Sequence, residues 1–91
     1  MTEDPSAVDD VVEAGLEDYR ASLFDLLRAP TVSSDPAAVA RGAELVGRFA
    51  ARHGFDEWTL VETGHYPLVY AERVVGPDGP TVLFYGHYDV Q

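Results

Sequence analysis

The chain has 91 residues, which suits one small domain, and it has no cysteine, which excludes disulfides and thiolate metal ligands. Sixteen acidic residues oppose six arginines, lysine is absent, and the net charge of −10 repels phosphate backbones and anionic lipid. We therefore expect no nucleic-acid partner and no membrane partner. The N-terminus lacks a signal-peptide pattern and no apolar run is long enough to span a bilayer, so we expect a soluble, cytoplasmic protein.

The acid-rich, lysine-free composition has two explanations. One is adaptation to a salt-rich cytoplasm, because salt screens the self-repulsion of an acidic surface. The other is a GC-rich genome that favours Arg codons over Lys codons. A melting temperature that rises between low and molar salt favours the first explanation.

Residues 1–8 are expected to form an acidic, flexible tail, and residues 9–91 the folded part. A helix is predicted from Asp9 to Arg28, because apolar residues recur there at steps of four, three, four and three. Those residues are Val12, Leu16, Tyr19, Leu23 and Leu26. Pro30 ends the helix, since the residue before a proline is pushed out of the helical conformation.

A second helix is predicted after a polar connector formed by Thr31–Ser34. Ser34 or Asp35 caps it, with Pro36 at its first position, and Gly54 is its C-terminal stop. The residues of its inner face are Val39, Ala43, Val46 and Phe49. Two helices can cover only part of a sheet whose strands are buried on both faces.

Three strands are predicted beyond Gly54, at Trp58–Val61, Leu68–Val75 and Thr81–Tyr85. The Gly- and Pro-rich turn at 76–80 predicts that the second and third strands form an antiparallel pair. The third strand has no polar alternation, as expected of a strand covered on both faces. The predicted fold class is α/β, with two N-terminal helices followed by three strands of a mixed sheet.

A glycine, a histidine and an aspartate follow the third predicted strand. In open α/β sheets the functional crevice lies beyond the carboxyl ends of the strands, where His87 and Asp89 fall. Neutral imidazole is a good zinc ligand, and Asp89 either orients that imidazole or is itself a ligand. Two residues cannot hold zinc, which needs at least three protein ligands. The alternative is that Gly86, His87 and Asp89 are ordinary turn residues.

The other histidines are weaker candidates. His53 lies at a helix end, where it interacts with the last carbonyls or with solvent. His65 lies in a loop beside Gly64. We interpret both as structural residues rather than ligands, and we place Trp58 in the core.

The stretch 82–91, VLFYGHYDVQ, resembles the signature of the co-catalytic di-zinc peptidase family. That family includes the carnosinase-like dipeptidases, acetylornithine deacetylase and succinyl-diaminopimelate desuccinylase. Tyr88 and the final Val-Gln pair are most similar to the dipeptidase branch. Weaker similarity lies upstream, in Leu26–Ser33 and Glu62–Glu72, so that the resemblance covers the chain from Leu16 onward.

The resemblance implies roles for two residues. His87 matches the histidine ligand of one of two zinc ions, and Asp89 matches the aspartate that hydrogen-bonds and orients that ligand. The family uses a metal-bound water, activated by a glutamate base, to attack an amide carbonyl. The implied substrate is a small peptide or an N-acyl amino acid.

The family's remaining groups have no counterparts in these 91 residues. They are the bridging aspartate, a Glu-Glu pair, a later carboxylate, the final histidine ligand and the lid domain. We therefore expect residues 9–91 to be an incomplete piece of a di-zinc peptidase catalytic domain, inactive without a downstream segment or a second chain. The alternatives are one half of a split enzyme and a noncatalytic acidic α/β interaction module.

Overall fold

Two helices precede a small sheet in the structure, a computed structural model that describes residues 5–90. The elements are α1 (Pro5–Arg28), α2 (Pro36–Arg52), β1 (Glu57–Val61) and β2 (Leu68–Glu72). β1 and β2 are antiparallel, with Trp58 opposite Ala71. The described chain is therefore mixed α/β. None of its helices combines the length and the apolar composition required to cross a membrane.

α1 begins four residues earlier than the predicted Asp9, because Pro5 is well suited to a first helical turn. Residues 5–8 of the predicted tail are thus helical, and residues 1–4 lie outside the described part. The helix ends at Arg28, as Pro30 predicts. Most of its predicted inner face stays exposed, since α1 packs against α2 only near its C-terminal end, and Ser22 is its buried residue.

α2 has the predicted caps. Asp35, rather than Ser34, is the N-cap, and its carboxylate accepts a hydrogen bond from the Ala38 N–H at 3.2 Å. The helix ends at Arg52, where the His53 N–H donates to the Phe49 carbonyl at 2.9 Å. Gly54 then takes a φ of 101°, a left-handed conformation that suits glycine.

The core lies between α2 and the sheet. Ala38, Val39 and Ala43 of α2 are buried, which confirms part of the predicted inner face. Further along the helix, the half-buried ring of Trp58 lies so close to Gly47 that a methyl group there would overlap it. A glycine in α2 thus allows the sheet to approach the helix backbone. Trp58, which was expected in the core, packs on α2 but is half-buried rather than buried.

The segment 81–85 is not a strand in the described chain, and the predicted pairing with the second strand is not formed. β2 ends at Glu72, three residues before the predicted Val75, and its partner is β1. Within residues 5–90 the backbone of 81–86 forms no hydrogen bonds. An apolar strand needs cover on both faces, and the inner face of α2 is already covered by β1 and β2.

Candidate metal-binding segment

Thr31 anchors the segment that carries His87 and Asp89. Its hydroxyl donates to the Tyr88 carbonyl at 2.9 Å, and its own carbonyl accepts from the Val90 N–H at 3.1 Å. Thr31 is fully buried, so this two-point contact is shielded from water. The helix connector therefore fixes the backbone on either side of Asp89.

Tyr88 holds the same segment against the loop between β1 and β2. Its half-buried hydroxyl donates to the Pro67 carbonyl at 2.6 Å. Burial, and secondarily the negative charge of Asp89, raises the pKa of the Tyr88 hydroxyl above its usual 10.0. The hydroxyl consequently keeps its proton, and remains a donor, throughout the neutral range.

Gly42 makes room for this anchor. A methyl group at Gly42 would overlap the Thr31 methyl group and would lie 3.8 Å from the Tyr88 ring. α2 must therefore present a residue without a side chain where the connector crosses it. The position of the His87 segment depends on this contact through Thr31.

His87 and Asp89 face solvent on either side of the inward-turned Tyr88, because side chains alternate along an extended chain. The imidazole Nδ1 and the carboxylate Oδ1 are 3.6 Å apart, and the two side chains are 75% and 39% exposed. That distance exceeds a hydrogen bond, but it brings the carboxylate to the Nδ1 side of the ring. The Tyr85 ring meets the same imidazole edge-on, with 5.6 Å between ring centres.

The pair supplies part of a zinc ligand set and not the whole. One imidazole nitrogen and one carboxylate oxygen are suitable donors, but zinc takes at least three protein ligands. In the described range 5–90, no group of three or more His, Asp or Glu residues could hold a metal ion. The predicted site residues are thus brought together, and no third ligand joins them there.

The other two histidines lie elsewhere. His65 stacks on Tyr66 in the loop after β1, with ring centres 5.6 Å apart. His53 caps α2, and its Nε2 lies 3.4 Å from the Ser22 hydroxyl. Both positions agree with the structural roles expected from the sequence.

Sequence reasoning missed the cluster that surrounds His53. Ser22 was not among the predicted inner-face residues of α1, but it lies three residues after Tyr19 and four before Leu26, and this helical spacing is the signal that could have placed it opposite α2. Ser22 and His53 line a cavity of about 380 Å³ between α1 and α2. The other lining residues are Tyr19, Leu23, Leu26 and Phe49. The neighbouring carboxylate of Asp18 pairs with Arg52, and no described carboxylate orients His53. The cluster consequently packs the two helices and lacks the third group of a nucleophilic triad.

Comparisons with protein-family models, with curated proteins and with solved structures found no match for this chain.

Proposed function

We propose that this chain contributes His87 and Asp89 to the dinuclear site of a zinc-dependent dipeptidase or related amidohydrolase. The supporting observation is the outward-facing pair, with the carboxylate beside Nδ1 at 3.6 Å. This arrangement leaves Nε2 available for a metal, and it places the carboxylate on the side from which it would accept the Nδ1–H hydrogen bond that fixes the tautomer. The substrate class is a small peptide or N-acyl amino acid in the cytoplasm, where the absence of cysteine is no handicap.

The chain's own part in the reaction is positioning. Thr31 holds the segment by its backbone, and the Tyr88 hydroxyl holds it by a side chain. The backbone that follows His87 is therefore fixed on both sides of Asp89. Bound zinc would supply a water of lowered pKa and would polarise the amide carbonyl. The remaining ligands and the general base must come from outside residues 5–90, so we propose that the isolated chain is inactive.

The finer fold belongs to the same proposal. In the assembled catalytic domain, residues 81–85 would become the third strand of a mixed sheet, with His87 just beyond its carboxyl end. The uncharged composition of Val82–Tyr85 supports this role, because such a run is typical of a strand buried on both faces.

A zinc titration of the 91-residue chain, followed by the ring ¹⁵N signals of its three histidines, tests the metal assignment. We expect weak binding that shifts the His87 signals first. Asp89→Asn should weaken the affinity about tenfold, because orienting carboxylates are worth roughly 10–100-fold in metal affinity. Binding should disappear in His87→Ala and persist in the control His65→Ala, which removes an exposed loop histidine.

Two results would overturn the assignment. One is zinc binding that His87→Ala leaves unchanged, and the other is nanomolar affinity, which requires ligands beyond this pair. Catalysis is tested by adding a polypeptide that carries the missing ligands and measuring dipeptide hydrolysis. We expect hydrolysis that is lost with chelator and in the His87→Ala variant.

A noncatalytic interaction module is the second candidate. The observation that favours it is the solvent exposure of four consecutive apolar residues, Val82–Tyr85. Selective zinc binding at His87 would be unexplained by this function, so the same titration separates the two candidates.

A further inference from the structure

The segment Thr81–Tyr85 has the composition of a strand and no partner. The side chains from Val82 to Tyr85 are 68–86% exposed. The backbone of 81–86 forms no hydrogen bond to another residue in the described range. Unpaired backbone groups beside apolar side chains are the usual template for pairing with another chain.

We propose that two copies of this chain form a weak dimer by antiparallel pairing of Thr81–Tyr85 around a two-fold axis at Leu83. This register places Thr81 opposite Tyr85 and Val82 opposite Phe84, and aromatic residues opposite β-branched ones are favourable cross-strand pairs. The interface is the same patch on both copies, so the assembly closes as a dimer. The inference needs neither His87 nor a metal, so it does not rest on the proposed function. It concerns the 91-residue chain by itself, because in the proposed catalytic domain Thr81–Tyr85 would instead pair inside the sheet.

Charge favours the antiparallel arrangement. No residue from Gly79 to Gly86 is charged, although the whole chain carries −10. Parallel pairing in register would place Asp78 opposite Asp78 and Asp89 opposite Asp89, and like charges directly opposite each other are destabilising. Antiparallel pairing around Leu83 places Asp78 opposite the uncharged Tyr88.

The available area suits a weak dimer. The two aromatic side chains offer at most roughly 300–500 Å² per copy. Side chains of paired strands project from the two open faces of the ribbon, so they are only partly covered, and two copies would bury less than the roughly 1,000 Å² expected of a specific interface. Repulsion between two acidic copies opposes this gain, but the Debye length falls from about 10 Å at 0.1 M salt to about 3 Å at 1 M. The dimer should therefore be tighter at 1 M salt.

Sedimentation equilibrium at 0.1 M and 1 M NaCl tests the dimer. We expect the dissociation constant to fall at least tenfold at the higher salt. Leu83→Lys should leave a monomer at both salts, because it places two like charges on the two-fold axis. Val75→Lys is the matched control, since Val75 and Leu83 are 85% and 86% exposed and both changes add one positive charge. The control should dimerise like the parent chain.

Spin labels test the register, because the chain has no cysteine to interfere with labelling. A label on Leu83→Cys should show strong dipolar broadening in the dimer. A label on Gly79→Cys should show none, because antiparallel strands separate the two positions by about 26 Å, whereas parallel strands place them about 5 Å apart.

Four results would overturn the proposal. They are a monomer at both salts, loss of association in Val75→Lys equal to that in Leu83→Lys, growth beyond dimers, and broadening at position 79. Circular dichroism of each variant checks folding, and the exposed positions chosen should leave the helix signal unchanged.

Discussion

Thr31 links the connector between α1 and α2 to the segment that carries His87 and Asp89. Its hydroxyl and carbonyl hold the segment around Tyr88, and its methyl group fills the space that Gly42 leaves on α2. The polar and apolar halves of the side chain thus have separate partners. Valine would retain the shape but would leave the Tyr88 carbonyl without its donor, and serine would retain the donor but lose the methyl contact.

Gly42→Ala should destabilise the fold by about 1–3 kcal/mol, the range for overpacking, even though alanine favours a helix by about 1 kcal/mol. Urea unfolding measures the change. Thr31→Ser removes the obstructing methyl group, so the double variant should be more stable than the sum of the single changes predicts.

Gly15→Ala is the control in the other helix. The group that a new methyl would meet there is the tip of the exposed Tyr19 ring, which can rotate away. This change should be neutral or stabilising. A loss of stability at Gly15 equal to that at Gly42 would contradict the overpacking explanation.

Local signals predicted the boundaries of the elements better than their packing. Pro30, Asp35, Pro36 and Gly54 act through backbone conformation or a hydrogen bond a few residues away, so the end of α1 and both ends of α2 could be predicted from the sequence. The start of α1 at Pro5 was not predicted. The pairing of Thr81–Tyr85 requires a partner distant in the sequence, and the apolar run alone did not reveal that none is present in the described chain.

In the candidate site, too, the local feature was predicted and the long-range contact was not. The proximity of His87 and Asp89 follows from their spacing on an extended segment, and it was predicted. The anchor at Thr31 was not predicted, because it joins residues 57 positions apart. Nothing in the pattern of Thr31 alone distinguishes a buried tether from a residue of a polar connector.

The cap of α2 provides a prediction at the scale of one element. Asp35→Ala should cost about 1 kcal/mol, because it removes the acceptor of the Ala38 N–H. The neighbouring Ser34→Ala should cost less than half as much, since Ser34 is not the cap. Thermal unfolding of both variants by circular dichroism provides the comparison. Equal losses of stability in the two variants would contradict the assignment of Asp35 as the cap.

Charge dominates at the scale of the whole molecule. The ion pairs Arg28–Asp25, Arg48–Glu44 and Arg52–Asp18 are all solvent-exposed, so each contributes at most about 1 kcal/mol. The ten uncompensated negative charges repel one another over the same surface. Screening therefore removes more repulsion than attraction, and salt should stabilise the folded chain.

The melting temperature should rise by about 4–8 °C between 0.1 M and 1 M NaCl if screening adds roughly 1 kcal/mol. The melting temperature should be measured on the Leu83→Lys variant, because dimer formation in the parent chain would also raise it. Sedimentation at each salt concentration verifies that this variant stays monomeric. A constant or falling melting temperature would indicate that the acidic surface reflects composition rather than salt adaptation.

Because Thr31 holds the His87 segment, that segment stays ordered only while α1 and α2 are folded. Since Thr31 lies between α1 and α2, we expect unfolding of the helix pair to release the backbone on either side of Asp89. Any ligand that requires the ordered segment is thermodynamically linked to the folding of α1 and α2. A ligand bound at the His87 segment should therefore slow the exchange of amide hydrogens in α1 and α2.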